Sequence, residues 1–418
     1  MRSRPSPVTA ALARARSGEV PGPDLPWPER ARPSQAAGVA VPAVLDPLLR
    51  HSVAGGRLRP AASAGALHPV TVRILAGADS GLPPGEYTYE PGAHRLHLHR
   101  PRALPAPPGT LALLIAAPER TVAHYRHRAW PLVLLDTGHT AAALVAAGAA
   151  AHTPDAVLAG PGHDGGVPLA AVRLTGAARL ADWPATTATT ADTEPAPGDH
   201  PDLVHARRIL RLLAAAGTPH GTWHTAPART PRSVIRDRRS APLETLAAAE
   251  RPSETDLLRV IGAAHAATPG GPRWWLATGG TRPALRVLRA GRLATGATGP
   301  VLPTLAAWAA GQGWLATTGA VLLSVGCPGD AGPARIRRDH LLAGYGAGHA
   351  HLMATALGLA ARPVGCWQNA DLGAALGGEP GREWIVHGLA LGAPPRHRAR
   401  PAHPPAPDAG TPKERDPA

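Results

Sequence analysis

The chain repeats itself once. Its two halves match at an offset of about 205–210 residues, and a repeat of domain size restricts the possible folds more than any single motif does. Gly138-His139 opens an Ala-rich run to Ala151. Gly348-His349 opens the corresponding run to Ala361, with Gly148 and Gly358 equally placed inside. Leu48-Leu49-Arg50 pairs with Leu257-Leu258-Arg259, Arg32-Pro33-Ser34 with Arg238-Arg239-Ser240, and the turn around Gly65 with the turn around Gly270. Two copies are too few for a solenoid of short stacked units. Each copy reads as a helix (46–53; 254–267), a glycine turn, a strand (70–76; 273–278) and a later long helix that starts at the Gly-His pair. That order predicts an α+β fold. A tandem copy is the covalent equivalent of a homodimer, so the chain should form an intrachain pseudo-dimer with its ligand site between the halves.

The length, 418 residues, agrees with two domains. The expected boundaries are a disordered N-terminal tail (1–28), a first domain (29–182), a Pro/Thr/Ala-rich linker with a short helix (183–231), a second domain (232–395) and a disordered C-terminal tail (396–418). Phe is absent and Tyr occurs four times, so ten Trp carry most of the aromatic volume, and Trp274, Trp275 and Trp308 read as core.

The formal net charge of +14 is almost entirely arginine, with Lys413 the only lysine. No basic block is interleaved with stacking aromatics, so nucleic acid is not an expected partner. Arginine instead suits fork-like grips on phosphate or carboxylate. A phosphate-binding GxxxxGK loop is impossible with that lysine count, and residues 344–348 lack the GxGxxG spacing. Cys327 and Cys366 form no CxxC, so neither a disulfide framework nor a cysteine zinc site is expected and a reducing cytoplasm is the default. His94, His97 and His99 on a hairpin, and His349 and His351 on a helix, come without HExxH or a carboxylate ligand, so no metal is expected. His139 and His349 read as buried, hydrogen-bonded structural residues. Residues 1–20 lack the apolar core of a secretion signal, and the Ala-rich runs are broken before spanning length, so no membrane segment is expected.

Four segments of the first half then carry a family resemblance. Ser63-Ala64-Gly65-Ala66-Leu67-His68-Pro69, followed by the strand from Val70, resembles the Ser-Ala-Gly-Ala-Leu-His-Pro signature of flavin-dependent dehydrogenases in the nitroreductase superfamily. The branch it looks like is the SagB-type azoline oxidases of ribosomal-peptide pathways. Residues 81–89 are similar to that family's Gly-Leu-x-x-Gly-x-Tyr-x-Tyr hairpin, and residues 124–130 to its Lys-Tyr-x-x-Arg-Ala-Tyr segment. Leu134-Leu135-Asp136-Thr137-Gly138-His139 resembles its Leu-Leu-Asp-x-Gly-His helix start. In the second half, Arg238-Arg239-Ser240 is similar to the superfamily's Arg-Arg-Ser motif, and Arg362-Pro363-Val364-Gly365-Cys366 resembles its Pro-x-Gly segment.

The resemblance implies a nitroreductase-like fold holding FMN between two units. Arg238, Arg239 and Ser240 would grip the phosphate as charge-assisted donors at a helix start. Ser63, Ala64, Gly65 and Ala66, with His68 behind them, would let the main chain approach the flat ring, because small side chains leave the space open. Pro363, Val364 and Gly365 would complete that site from the second half. The reciprocal site would join Arg32-Pro33-Ser34 to residues 268–272, where one arginine is a proline and the turn loses its serine. One FMN per chain is therefore expected, not two.

The implied reaction oxidises azoline rings to azoles, with the cofactor carrying hydride chemistry and the protein taking a proton. The family assigns that proton to its Lys-Tyr pair. Here His124 stands in the lysine position beside Tyr125, and Arg126, His127 and Arg128 are placed to favour a phenolate. The expected partners are a peptide substrate, reached through an acidic leader, and a cyclodehydratase, with the chain acting as a monomeric pseudo-dimer or a homodimer. Two alternatives stand beside this reading. One is another flavin reaction on the same fold, such as reduction of dehydroamino acids, nitro groups or quinones. The other is a flavin-free scaffold subunit of a peptide-modifying complex, and Arg238 and Arg239 also read as ordinary surface charges.

Overall fold

The structure is a computed structural model and describes residues 5–27, 38–102, 105–158, 166–176, 178–183 and 198–394. Arg32, Pro33, Ser34 and the tail 396–418, all named above, lie outside the described residues.

The strands are β1 (Val39–Ala40), β2 (Val70–Ala76), β3 (Gly85–Glu90), β4 (Arg95–Pro101), β5 (Thr110–Ala116), β6 (Ala151–Thr153), β7 (Val167–Thr175), β8 (Arg273–Thr278), β9 (Ala284–Arg289), β10 (Arg292–Thr298), β11 (Ala320–Gly326), β12 (Ala360–Val364) and β13 (Trp384–Gly392). The helices are α1 (Pro7–Arg16), α2 (Asp46–Arg50), α3 (Glu119–Tyr125), α4 (Ala129–Ala146), α5 (Pro201–Ala214), α6 (Arg232–Asp237), α7 (Leu243–Ala247), α8 (Glu254–Ala267), α9 (Val301–Trp308), α10 (Pro333–Ala356) and α11 (Leu372–Ala375).

Every paired strand is antiparallel. The first sheet has the order β1-β4-β3-β2-β5-β7-β6 and the second the order β10-β9-β8-β11-β13-β12. Without β1 the two orders correspond strand for strand. The central strands β5 (TLALLIA) and β11 (AVLLSVG) are apolar along almost their whole length because both faces are covered. The hairpin strand β3 (GEYTYE) alternates, with Tyr87 and Tyr89 turned inward.

Two long helices fill the space between the sheets. α4 packs on the first sheet, α10 on the second, and the two pack on each other. Their main chains come close enough that a Cβ on Gly138 would lie 2.2 Å from the Leu341 carbonyl oxygen, and one on Gly344 2.1 Å from that of Leu135. This contact explains a departure from expectation. The Gly-His pairs do not open these helices but sit inside them, because glycine serves there for a helix crossing and not for a start.

Two boundaries change. The segment expected to be a disordered N-terminal tail carries α1, whose Ser6 caps the Thr9 N–H at 3.1 Å and whose Val8, Ala11, Leu12 and Ala15 are buried in the core. In the expected linker, α5 is a 14-residue amphipathic helix whose Ala206, Ile209, Leu210 and Leu213 join the same core. The continuous stretch Glu119–Ala146 is long and apolar enough to cross a membrane, with mean hydropathy 1.2, contrary to expectation, but 94% of its most apolar window is buried inside the protein.

Candidate functional site

A partly open cleft with a cavity volume of about 150 Å³ lies between the halves. Ser63, Ala64, Gly65 and Tyr125 line it from the first half. Ser240, Arg362, Pro363, Val364, Gly365 and Cys366 line it from the second. The structure thus brings together most of the residues singled out in the sequence, across a separation of about 300 positions.

The 63–68 turn is strained and braced. Ala64–Ala66 form one 3₁₀ turn in which Gly65 (φ 59°) and Ala66 (φ 55°) are left-handed, and His68 follows at φ 49°. Non-glycine residues there cost on the order of 1–2 kcal/mol, so the surroundings must hold them. The Ala64 N–H donates to both Asp136 oxygens, at 3.0 and 3.1 Å. The His68 N–H donates to Ser63 Oγ at 3.1 Å, and His68 Nε2 lies 3.0 Å from the Arg57 carbonyl, which fixes Nε2 as donor and leaves Nδ1 to accept the Ser63 hydroxyl. Burial pushes the His68 pKa down to about 4, so the ring is neutral. His68 and Ala66 brace the turn and do not line the cleft.

Beneath the turn, Asp136 from α4 is only 4% exposed, and burial raises its pKa well above the usual carboxylate range, opposed by the Ala64 N–H. Beside it, His139 from α4 and His387 from β13 meet Nε2 to Nε2 at 2.9 Å, one donating and the other accepting. Burial lowers both pKa values, that of His387 to about 4. This pair joins the two halves at the floor of the cleft.

The proposed proton pair separates. The Tyr125 ring lines the cleft, and its hydroxyl would lie 3.3 Å from a Cβ built on Gly65. Its pKa is raised, first by burial and then by Cys366 and Asp136, so the phenol keeps its proton. This corrects the expectation that neighbouring cations favour a phenolate. Arg126 pairs with Asp202 at 2.9 Å, and Arg128 donates to the Glu19 carbonyl, both away from the ring. His124 stacks edge-on against Tyr125 but lies outside the cleft, exposed, with Nδ1 2.9 Å from Asp24.

The arginine motif also lies differently. Residues 238–240 follow α6 and precede α7, so no helix start stands there. Arg238 reaches across the halves, where its Nε donates to the Pro60 carbonyl at 2.6 Å and a terminal nitrogen to that of Arg59 at 3.3 Å. Burial lowers its pKa to about 10. It therefore ties the second half to the chain leading into the 63–68 turn. Arg239 is exposed and donates to the Asp237 carbonyl. Arg362 is the guanidinium lining the cleft, and it donates to the Ala241 carbonyl at 2.9 Å. No group of three or more metal-ligating side chains occurs among the described residues.

Against known proteins, no family model and no curated sequence matches the chain. A solved structure does. It is a crystal structure from Anabaena variabilis, provisionally named a nitroreductase, with a TM-score of 0.67 and 16% identity, matched over 94% of this chain and 100% of its own. The fold is nitroreductase-like. The match covers 94% of this chain and so takes in both sheets. Reading the sequence had missed Asp136, His139, Gln312, Arg362 and His387 as cleft residues. For Asp136 a signal existed, since the repeat places Gly346 at its counterpart. For Gln312 and His387 there was none.

Proposed function

We propose that this chain is an FMN-dependent oxidoreductase of duplicated, pseudo-dimeric design, which binds one FMN in the cleft and oxidises azoline rings of a ribosomally made peptide. The observation that carries it is the meeting of the 63–65 turn and Tyr125 with Ser240 and residues 363–365 around one cleft. The cleft suits a flat ring, since Ala64, Gly65 and Gly365 present little beyond main chain. For an anionic tail, Arg362 and Ser240 are at hand, while Arg238 is engaged with carbonyls. Bound there, FMN supplies hydride-accepting chemistry.

The chain's own residues supply the rest. Tyr125 holds its proton and serves as a hydrogen-bond donor towards the cleft. Asp136, whose pKa is raised by burial, presents its carboxyl to the cleft beneath the turn as the candidate for proton transfer. The peptide and its acidic leader, a cyclodehydratase partner and a cytoplasmic setting belong to the same proposal. The name of the structural neighbour favours a second reading, reduction of nitro compounds on the same site.

The visible spectrum of the purified protein, with its chromophore released and counted, tests the first step. About one FMN per chain is expected, and a colourless protein that takes up no added FMN overturns the proposal. An azoline peptide losing two hydrogens per ring separates oxidation from nitro reduction. His124→Ala should keep turnover, whereas Tyr125→Phe should lose about a hundredfold.

A further inference from the structure

A second, small cavity of about 30 Å³ adjoins the cleft at Gly365 and Cys366, which line both. Two arginines, Arg16 and Arg128, line it. Arg16 is in the last turn of α1, whose end is fastened by the Asn369 N–H donating to the Arg16 carbonyl at 2.7 Å. Arg128 stands just before α4. Each is only 8% exposed.

Arg16 is the unusual one. Both of its terminal nitrogens are buried without an oxygen or nitrogen partner, and the side chain that bears most closely on the guanidinium is the Cys327 thiol. It makes no ion pair among the described residues, and its guanidinium carbon sits 5.0 Å over the Trp384 ring. Asp339 and Asp371 are the carboxylates whose fields reach it, and neither forms an ion pair with it, although Asp339 Oδ1 is itself buried without a hydrogen-bond partner. Asp339 accepts from the Cys327 N–H and from Arg335, and Asp371 from the Ala374 and Gly381 N–H groups. Arg128 donates to the Glu19 carbonyl and, with the Gln368 amide turned, to its side-chain oxygen, both neutral groups. A guanidinium withdrawn from water with both terminal nitrogens lacking an oxygen partner is costly, and an orphaned buried donor of this kind marks the place of a missing partner.

We propose that Arg16 and Arg128 form a binding site for a compact oxyanion, a carboxylate or a phosphate group, beside the cleft. Planar forks that donate in parallel are the side chains best suited to such groups. The site stands on the two guanidiniums and holds whether or not the cleft binds FMN. Its position, one wall away from the cleft, suits either a free anion or the anionic end of a molecule lying there.

Titration calorimetry with inorganic phosphate and with acetate, at ionic strength held constant with chloride, tests it on the full chain. Saturable binding of at least one of these anions is expected. It should weaken about tenfold or more in Arg16→Gln and in Arg128→Gln, and remain unchanged in Arg14→Gln, which alters an exposed arginine of the same helix. Arg16→Lys keeps the charge without the fork. It should fold as the wild type does and bind with intermediate strength, which guards against loss of structure in the glutamine variants. Repeating the titration with added FMN distinguishes the sources. Undiminished binding indicates a free anion, and competition indicates an anionic group of the cleft's own ligand. Absence of saturable binding of both anions to wild type, or equal binding to wild type and both glutamine variants, overturns the proposal. Neither result depends on the flavin count that tests the functional proposal.

Discussion

The cleft and its counterpart in the repeat are built from corresponding segments, yet one is open and the other is filled. Under the Asp136 oxygens the first half holds the 63–66 turn apart from the helix crossing. At the corresponding place Gly346 leaves room for the Trp274 indole, which a Cβ there would meet at 2.4 Å, and Trp274 Nε1 donates to Thr268 in the corresponding turn. Where residues 362–366 form an open wall, residues 152–156 are covered by the segment 218–224. His152 and His224 exchange backbone hydrogen bonds at 2.8 and 2.9 Å, and the Thr222 N–H donates to Asp155 at 2.6 Å. The Arg337 guanidinium closes the region from below, donating to the carbonyls of Ala156, Leu169, Ala214 and Ala216. An aspartate-to-glycine difference and a covering segment thus accompany the change from open cleft to core. This is the structural basis for expecting a single ligand per chain.

Acid should strain this arrangement most. His340 and His351 are pushed by burial to about 3, and His349 and His387 to about 4. Unfolded histidines titrate near 6.5, so between these values the unfolded chain binds more protons, and stability falls as pH drops from about 6.5 towards 4 by up to about 1.4 kcal/mol per histidine per pH unit. Asp136 acts in the opposite sense. Its pKa is raised, so its contribution is present below the unfolded carboxylate value and is lost as pH rises through the folded one. The filled region holds His152, His224 and His349 beside Asp155 and has no counterpart of Asp136, so amide-exchange protection at 218–224 should fall on acidification more steeply than at 63–66. An equal fall would erase the distinction between the regions.

Arg337→Met should come next, costing about 3–5 kcal/mol in urea unfolding because four carbonyls lose their donor. It should leave the ligand count of the cleft at one. A rise to two would show that the counterpart is a closed site and not merely core. Asp136→Ala should cost about 1–3 kcal/mol by orphaning the Ala64 N–H, and it should weaken ligand binding in the cleft, read by fluorescence titration with FMN. The smallest effect separates two glycines. Gly65→Ala and Gly270→Ala both place alanine at positive φ, 59° and 68°, at about 1 kcal/mol each. Only at Gly65 does the new methyl also crowd Leu67 and the Tyr125 hydroxyl, at 3.3 Å, whereas Gly270 has nothing within 4 Å. Gly65→Ala should therefore melt lower than Gly270→Ala.

Much of this was legible along the chain, because it depends on local pattern. The strands 70–76 and 273–278 and the helix 254–267 were readable to the residue from the pattern of apolar residues. Apart from β1, the two sheets have the same strand order. The 63–69 signature marked a turn that does line the cleft, since left-handed backbone imposes its own choice of residues. What the linear pattern did not contain was partnership. Arg238 looked like a phosphate grip until its donors were seen on the Pro60 and Arg59 carbonyls, 178 and 179 residues away. His124 and Tyr125 are neighbours in sequence, yet one faces solvent and the other the cleft. Asp136, His139 and His387 acquire their chemistry only from burial and from each other. Residue type and spacing determine which element forms and which groups are available. Desolvation and hydrogen-bond partners come from segments hundreds of residues apart, so only the tertiary structure decides what those groups do.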